Sequence, residues 1–168
     1  MCVVGLQRAV ANARIRDAAI NSAAFIEQVA NLSRQRNEVL CLRIAPENGK
    51  FKDRKLLVVR DTIDFNCSDP KGSIDSMIID APNKYVPFSV CGGPDTGDWT
   101  TYGIFIPRLG LAATPPEGGI CIKYGGDGDD IYGYGAVRKE RSKNRVIPMW
   151  KVGNDATQNG DWSNWTEL

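Results

Sequence analysis

The stretch GLQRAVANARIRDAAINSAAFIEQVANLSRQR, Gly5 to Arg36, contains no proline and opens directly onto the strand-like Val39-Leu40-Cys41-Leu42-Arg43-Ile44. Its apolar positions recur at helical spacing in two rows. Leu6, Val10 and Ala13 form one row; Ile15, Ala19, Ser22, Ile26 and Val29, flanked by Phe25 and Leu32, form the other. Seven alanines from Ala9 to Ala24 favour helix and keep the profile slim, so that another helix can approach closely. A helix of about 30 residues is some 45 Å long, more than a compact domain of this size covers. The C-terminal half, through Ile26, Val29 and Leu32, is therefore expected to hold the chain's own sheet. The N-terminal half lacks large apolar side chains and is expected to protrude, offering Leu6, Val10 and Ala13 to a neighbouring molecule.

Everything downstream has a different texture: all nine prolines, most of the glycines and short alternating runs. Leu40, Leu42 and Ile44 alternate with Val39, Cys41 and Arg43, the pattern of a half-buried strand. Ala45 to Lys50 is turn chemistry, and Lys55 to Arg60 is the natural hairpin partner, with 61–66 as an extension. Further strands are expected at Ser76–Ile79, at Tyr85–Cys91 on a sheet edge because of Pro87, at Thr100–Pro107, at Gly119–Tyr124, from Val137 onward and at Arg145–Val152. The expected fold class is α+β, one long N-terminal helix on an antiparallel sheet. Its organisation is a helix over 1–37, a β domain over 38–152 and a polar tail over 153–168, which is either a loose end or a flap pinned by Trp162 and Trp165.

With 168 residues, 21 basic against 20 acidic side chains and 42% hydrophobic content, the chain can bury a real core and carries no global field towards nucleic acid or membrane. It contains no histidine, so the commonest general base and the commonest metal ligand are both missing. No serine or cysteine has an evident activating base, and no catalytic constellation of the expected sort is present. The reading is non-enzymatic.

Cys2, Cys41, Cys67, Cys91 and Cys121 include no CxxC pair, which excludes zinc-ribbon and thioredoxin-type spacing. Four of them can form two disulfides, implying an oxidising compartment, against the alternative of buried free thiols. Of three pairings, Cys41 with Cys67 and Cys91 with Cys121 are preferred because each joins neighbouring elements. Met1 to Leu6 is too short for a membrane span and lacks the charged start of a signal peptide.

The passage Asn31-Leu32-Ser33-Arg34-Gln35-Arg36-Asn37-Glu38-Val39-Leu40-Cys41, and then Leu57-Val58-Val59-Arg60-Asp61, resembles the type IV pilin-like proteins, and within them the minor pilins and H-class pseudopilins of type II secretion. In that family an alanine- and arginine-containing helix enters a strand ending in a cysteine, and a later strand ends near an aspartate. The resemblance covers the first 61 residues, and the remainder by layout, including a late basic hairpin from Arg138 to Val152. It implies a structural subunit without cofactor that assembles with other pilin or pseudopilin subunits through its N-terminal helix. It also implies a periplasmic or cell-surface location, with inner-membrane anchoring before assembly if an upstream apolar segment exists. The prepilin leader motif and the membrane half of the helix are absent from the sequence, and a truncated start is the expectation.

Two other segments invite a chemical reading. Asp127, Asp129 and Asp130 on a glycine-rich loop are the ligand type calcium prefers, but the spacing is not that of an EF-hand and a solvated turn explains it better. Arg138, Lys139, Arg141, Lys143 and Arg145 form a basic segment that can neutralise phosphates without reading bases. A solvated hairpin tip is the plain alternative; resemblance to DNA-binding minor pilins supplies the functional one, DNA uptake. A third possibility, carbohydrate binding, would require Trp99, Trp150, Trp162 and Trp165 to line one exposed surface.

Overall fold

The computed structural model describes residues 2–44, 53–60, 73–93, 101–106, 110–112, 119–124, 133–140, 145–152 and 165–168. Helix α1, Cys2–Arg36, is continuous. It stops where Asn37 adopts a left-handed φ of 52°, a conformation asparagine tolerates. The Asn37 N–H then donates to the Arg34 carbonyl and the Glu38 N–H to the Ser33 carbonyl, closing the helix end with the paired bonds of a Schellman motif. The Ser33 hydroxyl donates back to the Glu38 carbonyl at 2.7 Å, which fixes the exit into the first strand.

The β region comprises β1 Leu40–Ile44, β2 Lys55–Arg60, β3 Ser73–Ile78, β4 Asn83–Val86, a 3-10 turn at Phe88–Cys91, β5 Thr101–Ile106, β6 Gly110–Ala112, β7 Gly119–Tyr124, β8 Gly133–Glu140, β9 Arg145–Val152 and β10 Thr166–Glu167. The long helix on antiparallel strands is the α+β arrangement expected. The strands, however, form two five-stranded sheets, ordered β3-β2-β1-β5-β6 and β10-β9-β8-β7-β4, rather than one. The predicted β1–β2 hairpin is present, with Leu42 opposite Val58 and Ile44 opposite Leu56.

Two cores result from strand alternation. The larger joins Ile26 and Val29 of the helix to Leu40, Leu42, Leu56 and Val58 of the first sheet and to Tyr85, Ile120, Ile122, Val137 and Val146 of the second. Leu32 packs against it while only partly buried. The intervening residues Cys121, Ala136, Ile147 and Met149 turn to the opposite face of the second sheet, where Phe88, Cys91, Tyr134 and Trp165 cover them. Trp165 thus pins the chain end, as one of the two tail readings expected, and β10 adds to β9; Trp162 lies outside the described residues.

Two expectations are corrected here. The expected strand Tyr85–Cys91 ends at Val86: Pro87 cannot donate to a ladder, and the chain turns into the 3-10 segment instead. The edge position does hold, since β4 ends its sheet. The helix also begins to pack earlier than its C-terminal half, because Ala11 and Ile15 are fully buried. Gly135 on β8 makes this possible. A Cβ at Gly135 would stand 2.9 Å from Ile15 Cγ2 and 3.2 Å from the Ile15 carbonyl, so any larger residue there would force the Ile15 side chain to shift and crowd the helix backbone. Four of the seven alanines, Ala11, Ala18, Ala19 and Ala23, spend the slim profile on the chain's own sheets rather than on a second helix.

Candidate functional site

The helix surface turned away from the sheets is the most distinctive feature of the exterior. Gly5 to Val10 are exposed at every position, and Ala13, Asp17, Ile20 and Ala24 continue that exposure. Leu6 is 67% exposed, Val10 40% and Ile20 44%. At 100° per residue, Leu6, Val10, Ala13, Asp17, Ile20 and Ala24 fall within about 80° of arc. The opposite side carries the buried Ile15, Ser22 and Ile26. The predicted face of Leu6, Val10 and Ala13 is therefore one continuous row, and the structure lengthens it by Ile20, seven residues beyond Ala13. Repeating the 4-3 spacing along the sequence would have found it.

Beside this row lies a groove of ≈ 230 Å³ between the helix and the β3–β4 connection, lined by Arg14, Asp17, Met77, Ile78, Asp80 and Asn83 among others. Arg14 Nη1 donates to the Ala81 carbonyl at 3.3 Å, and Asn83 Nδ2 donates to the Arg14 carbonyl at 3.2 Å. These bonds fasten the β4 edge to the helix. Asn83 Oδ1 is buried without a hydrogen-bond partner. On the other flank the Arg16 guanidinium lies 4.7 Å from the centre of the Trp150 ring, a cation–π contact that draws this charge onto β9.

Inside, Ser22 Oγ and Tyr85 Oη share a 2.8 Å hydrogen bond between helix and second sheet. Burial holds the Tyr85 phenol well above its ordinary pKa, and the Ser22 bond only partly opposes that shift. The neutral phenol is the form the fold accepts. Its contribution to stability is complete below the unfolded value near 10 and is lost as pH rises beyond it. The urea midpoint should therefore fall more steeply above pH ~10 in the native chain than in Tyr85→Phe. Ser22→Ala, which leaves the buried hydroxyl alone, should cost about 1–3 kcal/mol at neutral pH in the same titration.

Cys91 and Cys121 form the predicted disulfide, joining the 3-10 turn to β7. Cys41 is also disulfide-bonded; Cys67, its expected partner, lies outside the described residues. The basic segment straddles the β8–β9 hairpin, where Glu140 pairs with Arg145 and Lys139 with Val146. Arg138 is half-buried and already engaged, while Arg141 and Lys143 lie outside the described residues, as do Asp127, Asp129 and Asp130. Among the described residues no cluster of acidic or cysteine side chains could hold a metal. The tryptophans do not meet on one exposed surface among the described residues: Trp165 is buried and Trp150 half-buried, and Trp99 and Trp162 lie outside them.

No family model, curated protein or solved structure matches this chain. No helix among the described residues is long and apolar enough to cross a membrane. What the geometry offers among the described residues is a surface for association, an apolar row along the exposed side of the helix.

Proposed function

We propose that this chain is a non-enzymatic structural subunit of a type IV pilus or type II secretion pseudopilus that assembles with related subunits through its N-terminal helix. The observation that carries this reading is the exposed row Leu6, Val10, Ala13 and Ile20 on a helix whose other side is committed to the β domain. Apolar side chains kept in line on the outside of a helix favour a helical partner. The buried Cys91–Cys121 disulfide supports an oxidising compartment, the periplasm or cell surface. Inner-membrane anchoring before assembly belongs to the same reading.

Deleting the gene in its own host should abolish piliation or type II secretion. Complementation with Leu6→Asp/Val10→Asp should fail although the protein accumulates to the native level, measured by immunoblot beside counts of surface filaments and secreted enzyme. Intact filaments and secretion in the deletion strain would overturn the proposal.

A further inference from the structure

The exposed helix row also determines which partner it fits when no other subunit is present. Leu6, Val10, Ala13, Asp17, Ile20 and Ala24 are spaced 4-3-4-3-4, the alternation of a and d positions in a coiled coil. Three of the five large apolar side chains that stand exposed among the described residues, Leu6, Val10 and Ile20, lie on this seam. Among the described residues the sheets lie on the other side of the helix, and the β3–β4 connection reaches the seam's flank only at the groove beside Asp17. We propose that two copies of this chain pair antiparallel along the seam, so that the free protein is a resting dimer in which each copy covers the other's assembly face.

Orientation follows from the one charged position. In a parallel, in-register pair Asp17 would meet Asp17, and like charges at facing core positions are disfavoured. In the antiparallel pair that places Leu6 opposite Ala24, Val10 opposite Ile20 and Ala13 opposite Asp17, large side chains meet small ones at both ends. The twofold axis then brings Asp17 of one copy to the same flank as Arg14 of the other, three residues from its own Asp17 on the helix. Arg14 spends one nitrogen on the Ala81 carbonyl and keeps further donors for a carboxylate. Arg16, on the opposite flank, is held against Trp150, which draws its charge away from the seam. The self-complementary match is thus apolar at Leu6, Val10 and Ile20, and sets Asp17 of one copy beside Arg14 of the other on the flank that also carries Asp80.

The inference uses the same face as the proposed assembly but does not require a filament. Sedimentation velocity of the purified chain should show a monomer–dimer equilibrium with a dissociation constant on the order of 10 µM or weaker, as a short seam gives. Ile20→Asp should leave a monomer whose circular dichroism is unchanged. In a Cys2→Ser background, mixing Val10→Cys with Ile20→Cys chains should give a covalent heterodimer on mild oxidation, with neither variant linking efficiently to itself. A chain that stays monomeric at about 1 mM, or Val10→Cys chains that link to one another as readily as to Ile20→Cys, would overturn the antiparallel dimer. A monomer whose deletion still abolishes filaments or secretion overturns this inference alone. A dimer whose deletion leaves both intact overturns only the assembly reading.

Discussion

Ile26→Ala should destabilise the chain by about 2–5 kcal/mol, while Leu6→Ala should change stability by less than ~0.5 kcal/mol. Ile26 is fully buried among residues of the helix and both sheets, so truncation removes its transfer free energy and leaves a cavity that three layers would have to close. Leu6 is two-thirds exposed and gives up little on truncation. For a chain of this size the buried change corresponds to a fall in melting temperature of roughly 4–20 °C. Thermal unfolding of the two variants side by side reads this directly. Equal losses at Ile26 and Leu6 would show that the two helix faces are not divided between core and exterior.

That division was legible in the sequence because it is local. Helical spacing sorts Leu6, Val10 and Ala13 from Ile15, Ala19, Ser22, Ile26 and Val29, and the second row is the buried one throughout. Strands whose side chains alternate, or that lie between glycine-rich segments, also had visible limits: β2, β7 and β9 match their predicted bounds. The separation into two sheets was not visible, since β1 pairs with β5 across sixty residues and nothing in either segment encodes that choice. β8 starts at Gly133 rather than Val137 for a related reason. Gly133 and Gly135 are poor strand formers alone; the helix comes close at Gly135, and a Cβ at Gly133 would stand 2.6 Å from the Lys151 carbonyl of β9. The groove beside the helix depends on Asn83 reaching the Arg14 carbonyl, a contact between residues 69 apart in sequence. The Ser22–Tyr85 bond is similarly remote. Ser22 could be read as a small residue on the buried row, but not as the partner of a particular phenol.

The Cys91→Ala/Cys121→Ala double variant should lose about 2–5 kcal/mol, and the loss should be concentrated on the outer face of the second sheet. The bond closes a loop with a sequence separation of 30, for which chain-entropy arguments give about 3–4 kcal/mol through restriction of the unfolded state. Both cysteines sit in the smaller core with Phe88, Tyr134, Met149 and Trp165. The Phe88 ring lies directly over Gly93 and Gly119, where no Cβ fits, so the 3-10 turn is seated by shape as well as by the covalent link. Without the link this cap is the part free to lift, because the larger core draws on the helix and the inner sheet faces and uses neither sulfur. Hydrogen exchange should therefore show the amides of 88–93 and of β10 losing protection well before those of β1 and β2. A uniform loss across both cores would instead mean that the two sheets unfold as one unit and that the disulfide stabilises the whole chain. A loss below ~1 kcal/mol would mean that Phe88 and its two glycines hold the cap without the bond.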